Sequence, residues 1–409
     1  MDDRSNFWID INMHCIFIYI IALNIFFYER MEFIMKKRMK SMMVMLLAVI
    51  MVFSMAGCGS KTTSEKQSVS DKQHPGKGAT KLGVLLVGAR DDMGYNEAVY
   101  DCVMGAVDAT DLKEVLVKDN VPEDNSVVAN AEELIAQGCT IIYGTSIGHR
   151  EYLEKVAEDH PEVAFYTNNS TGKDLSNMCV ITPDLWDAAY VNGVVAGMMT
   201  KSNELGYVAS FQIPVVLSSI NAFALGAQSV NPDVKVHAIF TGSWSDVGLQ
   251  TNAVDSMAAQ NIDVIAQFQD YSKAIVEHCE EIGVYCIGYH CDTSKLAPKT
   301  FLIGTVDEFG LQYKAFQATI EGNFEATVLR GGYKEEMCKN TAVSDICPKE
   351  VKDKAEKVIE SIKSGKFTAF EGPIMKSDGT YAYKEGETAT GTELDGCDYF
   401  VKGVVGKEN

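Results

Sequence analysis

From residue 82 onward, short apolar runs alternate with segments whose apolar positions recur every three to four residues. The runs Leu82–Val87, Val115–Val117, Thr140–Tyr143, Val163–Thr167 and Cys179–Thr182 predict strands. Helices over about 95–108, 126–137 and 149–159 separate them, with Gly138 and Pro161 as stop signals. Asp187–Met199 predicts a long helix of small and apolar residues. The rhythm then restarts, with strands at Leu205–Phe211, Val234–Phe240, Val264–Gln267 and Val284–Gly288, and helices over 218–229, 246–260 and 272–282. A strand at Phe301–Thr305, helices over about 307–321 and 349–364, and an irregular tail complete the pattern. Such alternation predicts parallel sheets covered by helices on both faces. Two successive runs predict two Rossmann-like α/β lobes joined by a hinge, residues 81–183 plus 304–330 and residues 184–303 plus 331–409.

The N-terminus has a different grammar. Met35 to Lys40 is basic, Ser41 to Met55 is apolar, and Ala56-Gly57-Cys58 follows, which is the layout of an export signal over 35–57. The ending resembles a bacterial lipobox with Met55 in place of the usual Leu, and on that resemblance Cys58 is lipidated and anchors the chain to a membrane. The apolar run is too short for a spanning helix, which needs ~20 residues. Residues 1–34 read as an upstream extension, and residues 58–80, rich in Ser, Thr, Lys and Gln, as a flexible tether.

Charge and cysteine content narrow the function. The 36 Lys and Arg against 56 Asp and Glu of the 409-residue chain give a net charge of −20, which argues against nucleic acid as a partner. The 11 Cys include no Cys-x-x-Cys pair. The run His278, Cys279, Cys286, His290, Cys291, Asp292 matches no regular zinc spacing, so no metal is predicted. Neither Gly-x-Gly-x-x-Gly nor a Walker loop occurs, and no cofactor is predicted.

In open α/β sheets, ligands gather beyond the carboxyl ends of the strands. The segments there carry Tyr95 and Asn96, Thr145 and Ser146, Phe211, Trp244, Asp270, Asp292 and Asp307. Aromatic faces beside carboxylates and amides suit a planar heterocycle, and also a sugar. Gly144-Thr-Ser146-Ile-Gly148 matches the Gly-x-Ser-x-Gly elbow of serine hydrolases, which makes Ser146 a rival candidate nucleophile. No oxyanion-type glycine segment accompanies it, and a Gly-rich turn binding polar ligand atoms explains the same residues.

The residues also resemble a known family. Gly83 to Val87 with Asp91 to Asn96, Tyr190 to Gly197, Asn221 to Ala227, Asp263 to Gln267, Gly283 to Gly288 and Phe370 to Pro373 together resemble the BMP/PnrA-like substrate-binding lipoproteins of ABC transporters. The resemblance implies a type I periplasmic-binding fold, no enzymatic activity, and capture of a purine nucleoside or free base for a membrane permease. It assigns Tyr95 and Asn96 to the ligand. An acidic pair commonly follows the Gly-Val-Tyr strand in this family; here His290 stands first and Asp292 remains. A Lys on the later crossover is also missing from Gly304-Thr-Val-Asp307. With Trp244, these departures resemble the subgroup taking free bases such as adenine, with Phe211 and Trp244 as stacking partners and Asp307 reading the base edge.

Overall fold

The computed structural model describes residues 74–168 and 171–406. The expected extension, signal segment, Cys58 and the tether up to residue 73 lie outside the described residues.

The first lobe is β1 (Lys81–Leu85), α1 (Tyr95–Met104), α2 (Ala106–Ala109), β2 (Glu114–Lys118), α3 (Ser126–Ala136), β3 (Ile141–Gly144), α4 (His149–Asp159), β4 (Ala164–Thr167) and β5 (Met178–Pro183). The second follows as α5 (Trp186–Met199), β6 (Glu204–Ala209), α6 (Pro214–Gln228), β7 (Lys235–Phe240), α7 (Val247–Ala258), β8 (Val264–Phe268), α8 (Ser272–Ile282), β9 (Tyr285–Gly288) and β10 (Phe301–Asp307). The chain then returns through α9 (Gly310–Glu321), β11 (Val328–Gly331), β12 (Cys338–Asn340) and α10 (Lys349–Lys363), and ends in β13 (Ile374–Met375), β14 (Tyr381–Tyr383), α11 (Gly391–Leu394) and β15 (Val404–Val405).

The first sheet runs β2-β1-β3-β4-β5-β11 and is parallel throughout. The second runs β15-β7-β6-β8-β9-β10-β12, parallel except where β12 pairs β10. Strands buried on both faces need continuous apolar runs, and β3, β4 and β8 are buried along their whole length. Helices supply the cover. Val127 and Leu134 of α3 pack on one face of the first sheet, while Phe316 of α9 meets Tyr143 and Tyr166 edge-on from the other. In the second lobe α5 and α6 approach backbone to backbone: a Cβ on Gly193 would lie 2.0 Å from the Phe223 carbonyl oxygen, and one on Gly226 would lie 2.0 Å from that of Tyr190.

Three differences from the sequence reading stand out. The tail is not irregular: β15 adds a strand beside β7, and the fully buried Asn221 amide holds it by donating to the Tyr399 carbonyl (2.9 Å) and accepting from Val401 N (2.9 Å). The tether ends earlier than residue 80, because Gly76 N donates to Glu162 O (2.9 Å), Gly78 N to Ile320 O (2.8 Å), and Ala79 is buried. All of β10 lies in the second sheet, so the chain re-enters the first lobe after residue 307 rather than at 304. The lobes are therefore joined by strands crossing between β5 and α5, β10 and α9, and β11 and β12. Arg330 ties two of these regions together, donating to Asp184 Oδ1 (2.6 Å) and to both oxygens of Asp395 (2.6 and 2.5 Å).

Candidate functional site

Each sheet reverses its strand order beside its first strand: β1 lies between β2 and β3, and β6 between β7 and β8. At such a switch point the loops leave in opposite directions and open a crevice beyond the strand ends. The two crevices face each other and enclose a cleft of about 400 Å³, within the size range of small-molecule sites.

From the first lobe the wall includes Tyr95, Thr145, Ser146, Asn168 and Thr182. The Tyr95 hydroxyl donates to Thr145 O (2.5 Å) and accepts from Asn168 Nδ2 (2.9 Å), so the hydroxyl is spent on the lobe and the ring is what remains for a ligand. Burial, with Asp270 and Asp307 nearby, pushes the Tyr95 pKa well up and keeps it neutral. Asn168 is equally committed, donating also to Thr145 O (2.8 Å) and accepting from Tyr143 (2.7 Å). Thr145 uses its own hydroxyl on Leu85 O (2.9 Å).

From the second lobe come Ile213, Pro214, Trp244, Phe268, Asp270 and His290. Trp244 stands edge-on to Phe211 (centroids 5.1 Å apart), and Phe268 lies behind it. Burial raises the Asp270 pKa to about 7, opposed by His290 and aided by Asp92 and Asp307. The lobes touch at this point, where Tyr95 N donates to Asp270 O (2.8 Å) and Cys291 Sγ to Gly94 O (3.2 Å).

Several expected residues sit elsewhere. Asn96 is buried away from the cleft, accepting from Gly88 N (2.9 Å) and donating to Asp92 Oδ2 (2.8 Å). Asp92 is the residue that caps α1, taking Gly94 N and Glu97 N on Oδ1, each at 2.9 Å. Phe211 supports Trp244 without lining the cleft. Asp292 is exposed and accepts from Ser294 N (3.0 Å) to close a turn. Asp307 faces a smaller inner cavity and reaches the cleft only through His290, whose Nδ1 lies 2.8 Å from its Oδ2. His290 is absent from the candidate site residues of the sequence reading, where it counts as a lost carboxylate and as one member of an irregular His/Cys run.

The hydrolase elbow is not assembled. Ser146 Oγ donates to Glu123 Oε1 (2.6 Å), which also takes Gly148 N (2.8 Å), and neighbouring His149 spends Nε2 on Val121 O (2.9 Å). The His/Cys run from His278 to Asp292 is likewise dispersed: Cys279 and Cys286 are buried in the apolar core, and His278 pairs with Asp255. Cys338 and Cys347 are both free thiols.

Two doubly wound lobes, crossed by three connections and closing on an aromatic and acidic cleft, define a type I periplasmic solute-binding protein. The chain belongs to the Bmp family, described as ABC transporter substrate-binding protein PnrA-like, which matches residues 79–371. It is 34% identical over 327 residues to a purine-binding protein of Brucella abortus (strain 2308), covering 79% of this chain and 92% of that one. It is 31% identical over 328 residues to a Haloferax volcanii protein provisionally named as an ABC transporter glucose-binding protein, covering 79% of this chain and 82% of that one. A solved ABC-transporter solute-binding protein from Aeropyrum pernix K1 superposes with a TM-score of 0.59 at 20% identity, over 72% of this chain and 93% of the other. The family is one of substrate-binding proteins. Among the described residues no helix is long and apolar enough to cross a membrane.

Proposed function

We propose that this substrate-binding protein captures a purine, a free base such as adenine ahead of a nucleoside, and delivers it to an ABC permease while held at the outer face of the cell membrane by lipid on Cys58. The observation that carries the reading is the pairing of flat and polar groups in one cleft. Trp244 and Tyr95 supply aromatic rings to its wall, and Asp270 and His290 supply polar groups for a heterocycle's edge. Stacking holds a plane, and the edge groups select its polar atoms. The name of the Brucella abortus relative supports the same ligand class. Closure follows from contacts, such as that between Tyr95 and Asp270, made when the two lobes meet.

Glucose or a related sugar is the second reading, favoured by the provisional name of the Haloferax volcanii relative. A thermal-shift screen of residues 59–409 against purine bases, nucleosides, pyrimidines and sugars separates the two. A ligand at a hundredfold excess over its Kd stabilises the fold by about 2.7 kcal/mol. A shift with adenine supports the free-base reading, and one confined to nucleosides moves the assignment to them. A shift with glucose and none with any purine replaces the proposal by the sugar reading.

A further inference from the structure

His290 occupies an unusual position. Its backbone φ is +67°, in the left-handed region, and the residue is 3% exposed while still lining the cleft. The ring lies against Tyr289 (centroids 4.0 Å apart) and Tyr95 (5.0 Å), so it has little freedom to turn. Nδ1 is held by Asp307 Oδ2 at 2.8 Å, whereas Nε2 is buried with no partner in the protein. A buried polar atom without a partner costs about 1–3 kcal/mol. On a residue that lines a binding cleft, such an atom is set for a ligand.

The chemistry of that atom is fixed by its neighbour. A carboxylate can only accept, so Nδ1 carries the proton toward Asp307. The second oxygen, Oδ1, is also unpartnered, as is Gln312 Oε1, and both residues line the inner cavity of about 30 Å³, room for about one water with two protons to give. Both oxygens accept, and a donor in that cavity would satisfy Asp307 without calling on His290 Nε2. Burial opposes charge on His290, but Asp307, Asp270 and Asp92 outweigh it and its pKa is raised. The direction of that shift is toward the imidazolium, in which Nε2–H is a charge-assisted donor.

We propose that His290 is a specificity-determining residue whose Nε2–H donates to an unprotonated ring nitrogen of the bound base, while Asp270 beside it accepts from the exocyclic amine. This rests on the purine reading and narrows it to an aminopurine with an adjacent donor and acceptor on its edge. Asp307 positions the imidazole and does not touch the ligand.

The test uses the full chain, titrated by calorimetry with adenine and with the 1-, 3- and 7-deaza adenines, each of which lacks one ring acceptor. The expected result is that one deaza analogue binds at least tenfold more weakly than adenine, the loss of a hydrogen bond to a charged group. His290→Asn is the matching variant. Asn tolerates a left-handed backbone, and its amide overlays Nδ1, so the Asp307 bond survives and only the Nε2 donor goes. It should bind adenine about tenfold more weakly and lose its discrimination against that one deaza analogue. His290→Gln, which returns a donor to the Nε2 position, should recover part of both. Equal binding of all three deaza analogues by the wild-type chain overturns the inference while leaving the purine reading intact, and so does a folded His290→Asn protein with undiminished affinity. Failure of the wild-type chain to bind any purine overturns the reading and the inference together.

Discussion

Gly94 sits where the lobes meet, and one methyl group there should separate closure from folding. A Cβ on Gly94 would lie 1.7 Å from the Asp270 carbonyl oxygen and 2.9 Å from its carbonyl carbon, both backbone atoms that cannot swing aside. Restoring ordinary contact requires the lobes to part locally by about 1.5 Å. That displacement breaks the Tyr95 N–H bond to Asp270 O, now 2.8 Å, and moves the Tyr95 ring away from the acidic edge opposite. The bond is worth about 0.5–1.5 kcal/mol, and the looser fit around the ligand brings the expected loss to about 1.5–3 kcal/mol, or roughly ten- to a hundredfold in Kd. Gly94 is buried where the lobes meet but lies outside the apolar clusters of both, so the ligand-free protein should melt near the wild-type temperature. Calorimetric titration of Gly94→Ala with adenine measures the loss, and ligand-free thermal melts establish that the fold is intact. Gly248→Ala is the control, since the nearest atom to its Cβ is 3.4 Å away. If Gly94→Ala binds adenine within about twofold of wild type, the contact is not part of the ligand-bound state and the closure argument is wrong.

Trp244→Ala should weaken purine binding by about 0.5–1.5 kcal/mol beyond the lost area, and Phe211→Ala by less, because Phe211 acts through the Trp244 ring; equal losses in titration would put both rings on the ligand. Asp187 is held up at about 7 by burial, with Asp184 adding to the rise. A carboxyl with a raised folded pKa binds more protons folded than unfolded, so stability falls as pH rises from about 4 to 7. Asp187→Asn should remove that slope and gain about 1–3 kcal/mol at pH 8, discounted for partial exposure, as read by urea melts at pH 5 and pH 8; parallel slopes in both proteins would exclude it. Asn221→Ala strips two hydrogen bonds from the buried C-terminal strand region and should cost about 2–4 kcal/mol in urea unfolding, with early proteolysis after residue 396; a loss below about 0.5 kcal/mol would show that the tail is held by other means.

Local signals were sufficient for the long elements. Helices His149–Asp159 and Ser272–Ile282 end where the sequence reading ends them, because each is amphipathic and stops at a Pro-bounded or left-handed Gly turn. The strands β11, β12, β13, β14 and β15 were missed; they have four residues or fewer and exist through distant partners, as Val404 does through Val236. The switch-point rule located the cleft loops, and Tyr95, Thr145, Ser146, Trp244 and Asp270 do stand in its wall. It did not say which way each side chain turns. Asn96 faces inward because Gly88 and Asp92 claim its amide, and Asp307 faces His290 because β9 and β10 are neighbours, a pairing across 17 positions that no local pattern encodes.

The distribution of hydrogen bonds around the cleft separates scaffold from reader. Tyr95, Thr145, Ser146 and Asn168 look equally suited to grip a ligand, yet each has given its polar group to the protein. Thr182 and His290 line the same cleft, and their Oγ1 and Nε2 atoms are buried without a partner in the protein. Because an unpartnered buried group costs more than a satisfied one contributes, folding alone gives no reason to hold these atoms at the wall. A ligand that pairs them removes the cost on binding, and one that lacks the matching atom leaves it in place. Discrimination between closely related bases therefore rests on the few atoms the fold leaves unpaired, and His290 is the one among them that can carry charge.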